Sequence, residues 1–265
     1  MAPRNGIGFI VPTLGTRRET LSRTLQSLRS QVELITLVAP KSLEASLGLE
    51  QAGMFDLFVA DAGHGLATAI NQGLRAQPES IKYSSWLGDD DFLEAGSMEK
   101  VLRQFEATPD CSAVYGKCNY VDADGYVLFV QGVGRLARMI LPLGPDLIPQ
   151  PGSVVRKSSF EQIGHLDEKF GLAFDYDMFL KLRKIGRLSF VNAILANFTW
   201  HSDSLSVRQR QQSVDEARLA RSVNATTLFE KSLLLLGPLA RVAAVFAGLF
   251  ATRLTKKSLR RSTKS

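Results

Sequence analysis

Tyr83-Ser84-Ser85-Trp86-Leu87-Gly88-Asp89-Asp90-Asp91-Phe92 is the stretch from which the fold is best read. An apolar approach reaches a glycine, three carboxylates follow in a row, and then Met98, Val101, Leu102 and Phe105 recur at the spacing of one helical face. The pattern is strand, tight acidic turn, helix. Three adjacent like charges repel, and a turn has no structural need for all of them. Two explanations stand. The run is either a solvated turn capping the next helix, as Asp commonly does, or a site for a divalent cation. Mg²⁺ and Mn²⁺ are typically held by one or two carboxylates together with substrate phosphates.

Toward the N-terminus the same alternation repeats. Residues 7–11 form a β-branched and aromatic run ending at Pro12, followed by a turn of hydroxyls and bases and then Leu21, Leu25 and Leu28 at helical spacing. Residues 34–38 and 55–60 read as the second and third strands, with a helix near 43–49 between them. A flexible Gly63-His64-Gly65 turn leads into a helix carrying Leu66, Ile70 and Leu74, and residues 81–87 are the fourth strand. Strands alternating with helices of this length predict a parallel sheet wound with helices on both faces. In such sheets ligands gather at the carboxyl ends of the strands. The acidic turn, the 13–18 loop and Asp61 all fall on that edge, which favours the metal reading. In the 13–18 loop, Thr16 caps the helix and the arginines are solvated, or Arg17 or Arg18 meets a nucleotide diphosphate.

Downstream, residues 113–115 and 120–129 are expected as strands, the second broken by an Asp122-Ala123-Asp124-Gly125 hairpin turn. Residues 131–150 carry little periodicity, which is long for an idle loop. Residues 151–156 return to extended structure, with a helix near 158–163. Phe174-Asp175-Tyr176-Asp177 opens a further helix with Met178, Phe179, Leu182 and Ile185 on its face. Its carboxylates suit the first turn by the helix dipole. Beside aromatic residues they are also candidates for a general base. An apolar run at 188–198 leads to His201, either a metal ligand or a loop histidine.

Composition bounds the function. The chain has 265 residues and a net charge of +6. Six of its 32 basic residues lie from Arg253 onward with no acid among them, so the remaining 26 balance the 26 acids. The body is neutral, which argues against a nucleic-acid-binding face. Cys111 and Cys118 have neither redox nor zinc spacing. With no signal-peptide pattern at the start, a cytoplasmic protein is expected. From Leu233 to Ala251 only Arg241 is charged. A central Arg costs about 2.5–3.5 kcal/mol on insertion scales. An amphipathic helix on the inner face of the cytoplasmic membrane, its basic tail on anionic lipid, is therefore expected over a membrane span, and a helix packed on the body or on a partner subunit is the alternative.

In their order these segments resemble the family 2 glycosyltransferases of the GT-A fold. The matching residues are Val11-Pro12-Thr13 with Arg17-Arg18-Glu19-Thr20-Leu21, Gly65-Leu66 with Asn71-Gln72-Gly73, and Trp86-Leu87-Gly88-Asp89-Asp90-Asp91. Val114-Tyr115-Gly116, Gln150-Pro151-Gly152-Ser153, Phe174-Asp175-Tyr176-Asp177-Met178, and a late His201 and Ser204 complete the set. The resemblance implies an α/β GT-A domain over residues 1–222, with 223–265 as the apolar helix and basic tail. It implies an inverting, metal-dependent transfer of sugar from a nucleotide-diphospho-sugar to a sugar or lipid-linked acceptor in cell-surface polysaccharide or lipopolysaccharide synthesis. Asp89, Asp91 and His201 would hold Mn²⁺ or Mg²⁺, while Pro12, Thr13, Arg17, Asn71, Asp89 and Asp90 would bind the donor. Asp175 would be the catalytic base, with Asp177 as runner-up. The family's nucleobase-binding Asp after the second strand is missing here, where Val38-Ala39-Pro40-Lys41 stands, and Asp61 is expected to take part of that role. Two rivals are weighed. A nucleotidyltransferase would need a Gly-rich basic loop, and this one has only Gly15. A non-catalytic sugar- or nucleotide-binding scaffold would not require the acidic residues.

Overall fold

The computed structural model describes residues 4–144, 146–200 and 210–235. Within them β1 (Ile7–Pro12), β2 (Leu34–Ala39), β3 (Leu57–Ala60) and β4 (Tyr83–Trp86) are linked by α1 (Arg18–Arg29), α2 (Glu44–Glu50) and α3 (Leu66–Ala76). These four strands pair in parallel in the order β3-β2-β1-β4. The second half is β5 (Phe92–Leu93), α4 (Ser97–Ala107), β6 (Cys111–Val121), β7 (Val127–Gln131), α5 (Ala137–Ile140), β8 (Val154–Arg156), α6 (Lys157–Gln162), α7 (Phe174–Ile185) and β9 (Arg187–Thr199). It joins the first through β8, which lies antiparallel between β4 and β6, and β9 runs parallel to β6. Helices α8 (Arg210–Asn224) and α9 (Leu228–Leu235) follow. The expected α/β sheet with helices on both faces is present.

Strand periodicity explains the two faces. On β1, Ile7, Phe9 and Val11 pack with Leu21, Leu25 and Leu28 of α1 and with Met98, Val101 and Phe105 of α4. Ile10 points the other way, toward Ile70 and Leu74 of α3 and the face carrying Trp86, Phe160, Phe179 and Leu182. The approach of α3 is so close that a Cβ on Gly73 would lie 2.6 Å from the Ile10 side chain. That contact explains the glycine of Asn71-Gln72-Gly73.

Three expectations need correction. The segment 113–115 and the start of 120–129 are one strand rather than two, while the hairpin turn at 122–125 stands where the sequence predicts it. One strand of 11 residues, β6, runs through to Val121, and β7 returns after a turn in which Asp122 Oδ1 accepts the amides of Asp124 (3.0 Å) and Tyr126 (2.9 Å). Between the acidic turn and α4 stands the unforeseen β5, two residues long and paired with Asn197 and Ala196 of β9. No local pattern could announce a strand whose partner lies about a hundred positions away. Residues 131–150 contain α5, flanked by 3₁₀ turns at Gly134–Leu136 and Leu141–Leu143.

Helix α8 fastens to the body. The Glu216 carboxylate accepts the amides of Leu172 (2.7 Å) and Ala173 (3.0 Å), capping the N-terminus of α7 from a distant helix. Arg221 Nη1 donates to Leu143 O at 2.8 Å. On α9, Glu230 pairs with Arg183 of α7. Burial works against the charge on Glu230, yet the amides of Thr227 and Thr226 and the Arg183 guanidinium hold its carboxyl down at about 2. Residues 236–265, on which the membrane expectation largely rests, lie outside the described residues, and no described helix is long and apolar enough to cross a membrane.

Candidate active site at the carboxyl edge of the sheet

Strand β1 ends at Pro12, and the Thr13 amide continues the ladder to Val38 O at 2.9 Å. The chain then leaves the sheet, and Thr13 Oγ1 donates to Asp89 Oδ2 at 2.6 Å while accepting from the Gly15 amide at 2.9 Å. Arg17 bridges two acids, 3.4 Å from Asp89 Oδ1 and 2.5 Å from Asp90 Oδ2. Its side chain is 42% exposed against 13% for either carboxylate, so it covers them from the solvent side. The donor-side loop and the acidic turn, 76 positions apart, thus meet as the sequence predicts.

The three aspartates are not equivalent. Asp91 is buried, its Oδ1 accepts the Thr199 amide at 2.9 Å, and its carbonyl accepts Thr24 Oγ1 at 2.6 Å. Thr199 Oγ1 in turn donates to Asp90 O at 2.5 Å. Asp91 therefore ties the end of β9 to the turn and to α1. The chain folds back tightly enough that a Cβ on Gly88 would meet Asp91 Oδ2 at 2.9 Å and Asp90 Oδ1 at 3.0 Å. Burial raises the Asp91 carboxyl well above the usual range, and the charges of Asp90 and Asp89 add to this against the Thr199 amide. Burial raises Asp89 as well, opposed by the Thr13 hydroxyl.

Among the described residues no group of three metal-ligating side chains is assembled. The donor set still suits a hard divalent ion that keeps part of its shell for substrate. Asp89 and Asp91 could supply two oxygen ligands, their mutual repulsion would favour a cation, and diphosphate oxygens would complete the shell. His201, the third expected ligand, lies outside the described residues.

Asp175 sits in the first turn of α7, half-buried. The preceding residue, Phe174, packs its ring 5.9 Å from Trp86, the last residue of β4, which brings the start of α7 to the acidic turn. Burial lifts the Asp175 carboxyl to about 6, opposed by the Tyr176 amide, which donates to Oδ1 at 2.8 Å. A second carboxylate stands beside it that the sequence reading missed. Asp146 belongs to the segment crossing the site, which is pinned by Tyr176 Oη to Leu141 O (2.8 Å) and by Gln150 Nε2 to Trp86 O (3.0 Å). Burial and the neighbouring charge of Asp175 push Asp146 well above the carboxylate range. The two carboxyls therefore titrate as a pair, and charging one opposes charging the other. Burial also raises the Tyr120 phenol, with Cys118, Asp146, Asp91 and Asp175 contributing, so one ring senses both acidic spots. The only sequence signal for Asp146 was its place in an aperiodic segment before Gln150-Pro151-Gly152.

Other expected site residues go elsewhere. Asp177 is 1% exposed, and it accepts from Asn224 Nδ2 at 2.7 Å and pairs with Lys181 Nζ at 2.7 Å. It joins α7 to α8 and is not brought to Asp175's cluster. Asn71 spends its amide on the chain. Nδ2 donates to Leu166 O (2.9 Å) and Glu168 Oε1 (2.8 Å), and Oδ1 accepts the Leu166 amide at 3.0 Å. The Asn71 assignment to donor binding is therefore replaced by a clamp on the segment leading to α7. Replacing it by Ala leaves two buried backbone groups unpaired, each worth roughly 1–3 kcal/mol. Urea denaturation of Asn71→Ala should show a loss of about 2–3 kcal/mol; an unchanged midpoint would show that the clamp is dispensable. Asp61 follows directly on β3 and accepts the Gly63 amide at 2.9 Å, holding the turn into α3.

The architecture matches that of solved structures. Staphylococcus aureus TarS 1-349 in complex with UDP-GlcNAc superposes with a TM-score of 0.66 at 13% identity, over 89% of this chain and 72% of that one. This chain shares the TarS fold. No family model matches the sequence. Among curated proteins, the hyaluronan synthase of Pasteurella multocida is 28% identical over 127 residues, 48% of this chain and 13% of that protein. An uncharacterized glycosyltransferase of Rickettsia bellii is 25% identical over 146 residues, 52% of this chain and 21% of that protein. The chain thus spans between about an eighth and a fifth of the length of these relatives.

Proposed function

We propose that the chain is a glycosyltransferase that moves a sugar from a nucleotide-diphospho-sugar to an acceptor hydroxyl with inversion. One observation carries the reading: a half-buried carboxylate held near neutral pKa, Asp175, stands at the same sheet edge as the Thr13–Arg17–Asp89–Asp90 cluster. UDP-GlcNAc bound to TarS, of the same fold, and the glycosyltransferase names among the curated relatives support it.

The residues divide the work. Arg17 is placed to exchange its carboxylate partners for diphosphate oxygens, which its guanidinium can take through paired hydrogen bonds. Thr13 fixes the orientation of Asp89. Asp89 and Asp91 would hold a divalent ion, which as a Lewis acid would offset charge gathering on the departing diphosphate. Asp175, ionised above about pH 6, accepts the proton of the attacking hydroxyl. Asp146, whose carboxyl is raised by burial and by the charge of Asp175, stands beside it and helps to set the proton affinity of the pair. Transfer is direct and needs no covalent enzyme intermediate.

Calorimetry with UDP tests the metal and donor assignments together. Binding with Mn²⁺ should fall by more than about tenfold in chelator, because the carboxylates then repel the diphosphate. Equal binding in chelator would remove the metal from the reading, and no binding in either condition would remove the donor.

The synthase names among the relatives support polysaccharide assembly as the setting; the acceptor would then be presented at the inner face of the cytoplasmic membrane. The six bases from Arg253 onward, beside an apolar stretch, would attach the protein peripherally there. Deleting residues 236–265 should abolish sedimentation with anionic vesicles and leave UDP binding intact. A full-length chain indifferent to such vesicles would end the membrane reading.

A further inference from the structure

Far from the acidic turn, three arginines converge on a cavity of about 150 Å³. Arg135 comes from the 3₁₀ turn before α5, Arg138 from α5, and Arg187 from the first position of β9, with Gln104 and Thr108 of α4 and Ser189 of β9 completing the wall. Ten residues of β9 separate Ser189 from Thr199 at the acidic turn, roughly 30 Å along a strand.

The wall is built and held. Gln104 Nε2 donates to Ser189 Oγ at 2.8 Å, and Thr108 Oγ1 donates to Gln104 O at 2.5 Å. Tyr115 Oη donates to Gly134 O at 3.0 Å, and its ring packs 5.4 Å from Phe190, anchoring the segment that carries Arg135 and Arg138 over β9. Negative charge is what the pocket lacks. Arg17, Arg18, Arg29, Arg75, Arg103, Arg183 and Arg218 all pair with carboxylates. Among the described residues no carboxylate pairs with Arg135, Arg138 or Arg187. Arg138 is half-buried and Arg135 and Arg187 reach solvent, and three like charges lining one cavity favour an anion among them.

We infer that this cavity binds a phosphate group, as free phosphate or as a small phosphate monoester. A planar carboxylate is satisfied by one guanidinium fork, whereas a tetrahedral dianion presents oxygens in several directions and suits forks arriving from three. The cavity's size admits the phosphate and little of what bears it. The inference is independent of the glycosyltransferase reading.

The test is calorimetry on the full chain with two probes, inorganic phosphate and glucose 6-phosphate, at constant ionic strength. Wild type should bind saturably, one equivalent at this site. A triple variant, Arg135→Gln with Arg138→Gln and Arg187→Gln, should lose at least about tenfold in affinity. Arg29→Gln, on α1 and outside the lining of this cavity, should keep it. Tighter binding of the sugar phosphate would identify a monoester as the ligand, and equal binding the anion alone. Because a triple change could unsettle the loop, the three single variants are measured too, each with its melting temperature. Each single variant that melts as wild type does should weaken binding. The inference is overturned by no saturable binding in wild type. It also fails if affinity is retained in well-folded variants of the three arginines, or is lost equally in Arg29→Gln.

Discussion

Asp175→Asn should reduce sugar transfer by about 10²–10⁴-fold, the usual contribution of a positioned general base, while UDP binding stays within about twofold. The amide keeps the shape and still accepts the Tyr176 amide, so the start of α7 is undisturbed. Stability should not fall. The folded-state carboxyl is raised to about 6 by burial, so the native protein binds this proton more tightly than the unfolded chain. Ionising it therefore opposes folding, and a neutral amide removes that penalty. The same sign governs activity with pH. The base is present above about 6 and is lost as pH falls through that value, so wild-type transfer should show an acid limb there. Single-turnover rates between about pH 5 and 8 would show it. A variant that turns over like wild type, or an acid limb near 4, would mean that Asp175 is not the base.

Two positions on, the opposite result is expected. Asp177→Ala should destabilise the protein by about 3 kcal/mol without a specific effect on the chemistry of the remaining folded molecules. Breaking a buried pair by removing one partner typically costs 3–5 kcal/mol. The lower end applies because Lys181 is 25% exposed and has Asp167 within 3.6 Å as a second partner. Asn224 also loses the acceptor that ties α8 to α7, although its Nδ2 keeps Ala220 O. Urea denaturation measures the loss, and single-turnover transfer by the folded fraction checks the second half. A stable but inactive Asp177→Ala would move the catalytic assignment to Asp177.

The contrast between these aspartates marks the limit of what a sequence discloses. Both stand in the first turn of a helix with identical local credentials. Successive positions two apart on a helix face nearly opposite directions. Which direction is the cleft depends on Phe174 meeting Trp86 and on α8 lying against the far side. Asn71 makes the same point, since its role depends on Leu166, 95 positions away. Asp146 had no periodic neighbourhood to flag it, and only its placement beside Asp175 makes it part of the site.

The sequence by itself determined the winding of β1 to β4, because alternation and helical spacing are local and each apolar face has to be covered. It also determined that Thr13, Arg17 and Asp89–Asp91 share one edge, since the loops after successive parallel strands emerge on the same side. Only the tertiary structure decided how the three adjacent acids divide. Asp91 became the buried tie to Thr199, while Asp89 and Asp90 face Arg17. The physical reason is that desolvation and hydrogen-bond partners come from β9 and α1, elements that no neighbouring residue encodes.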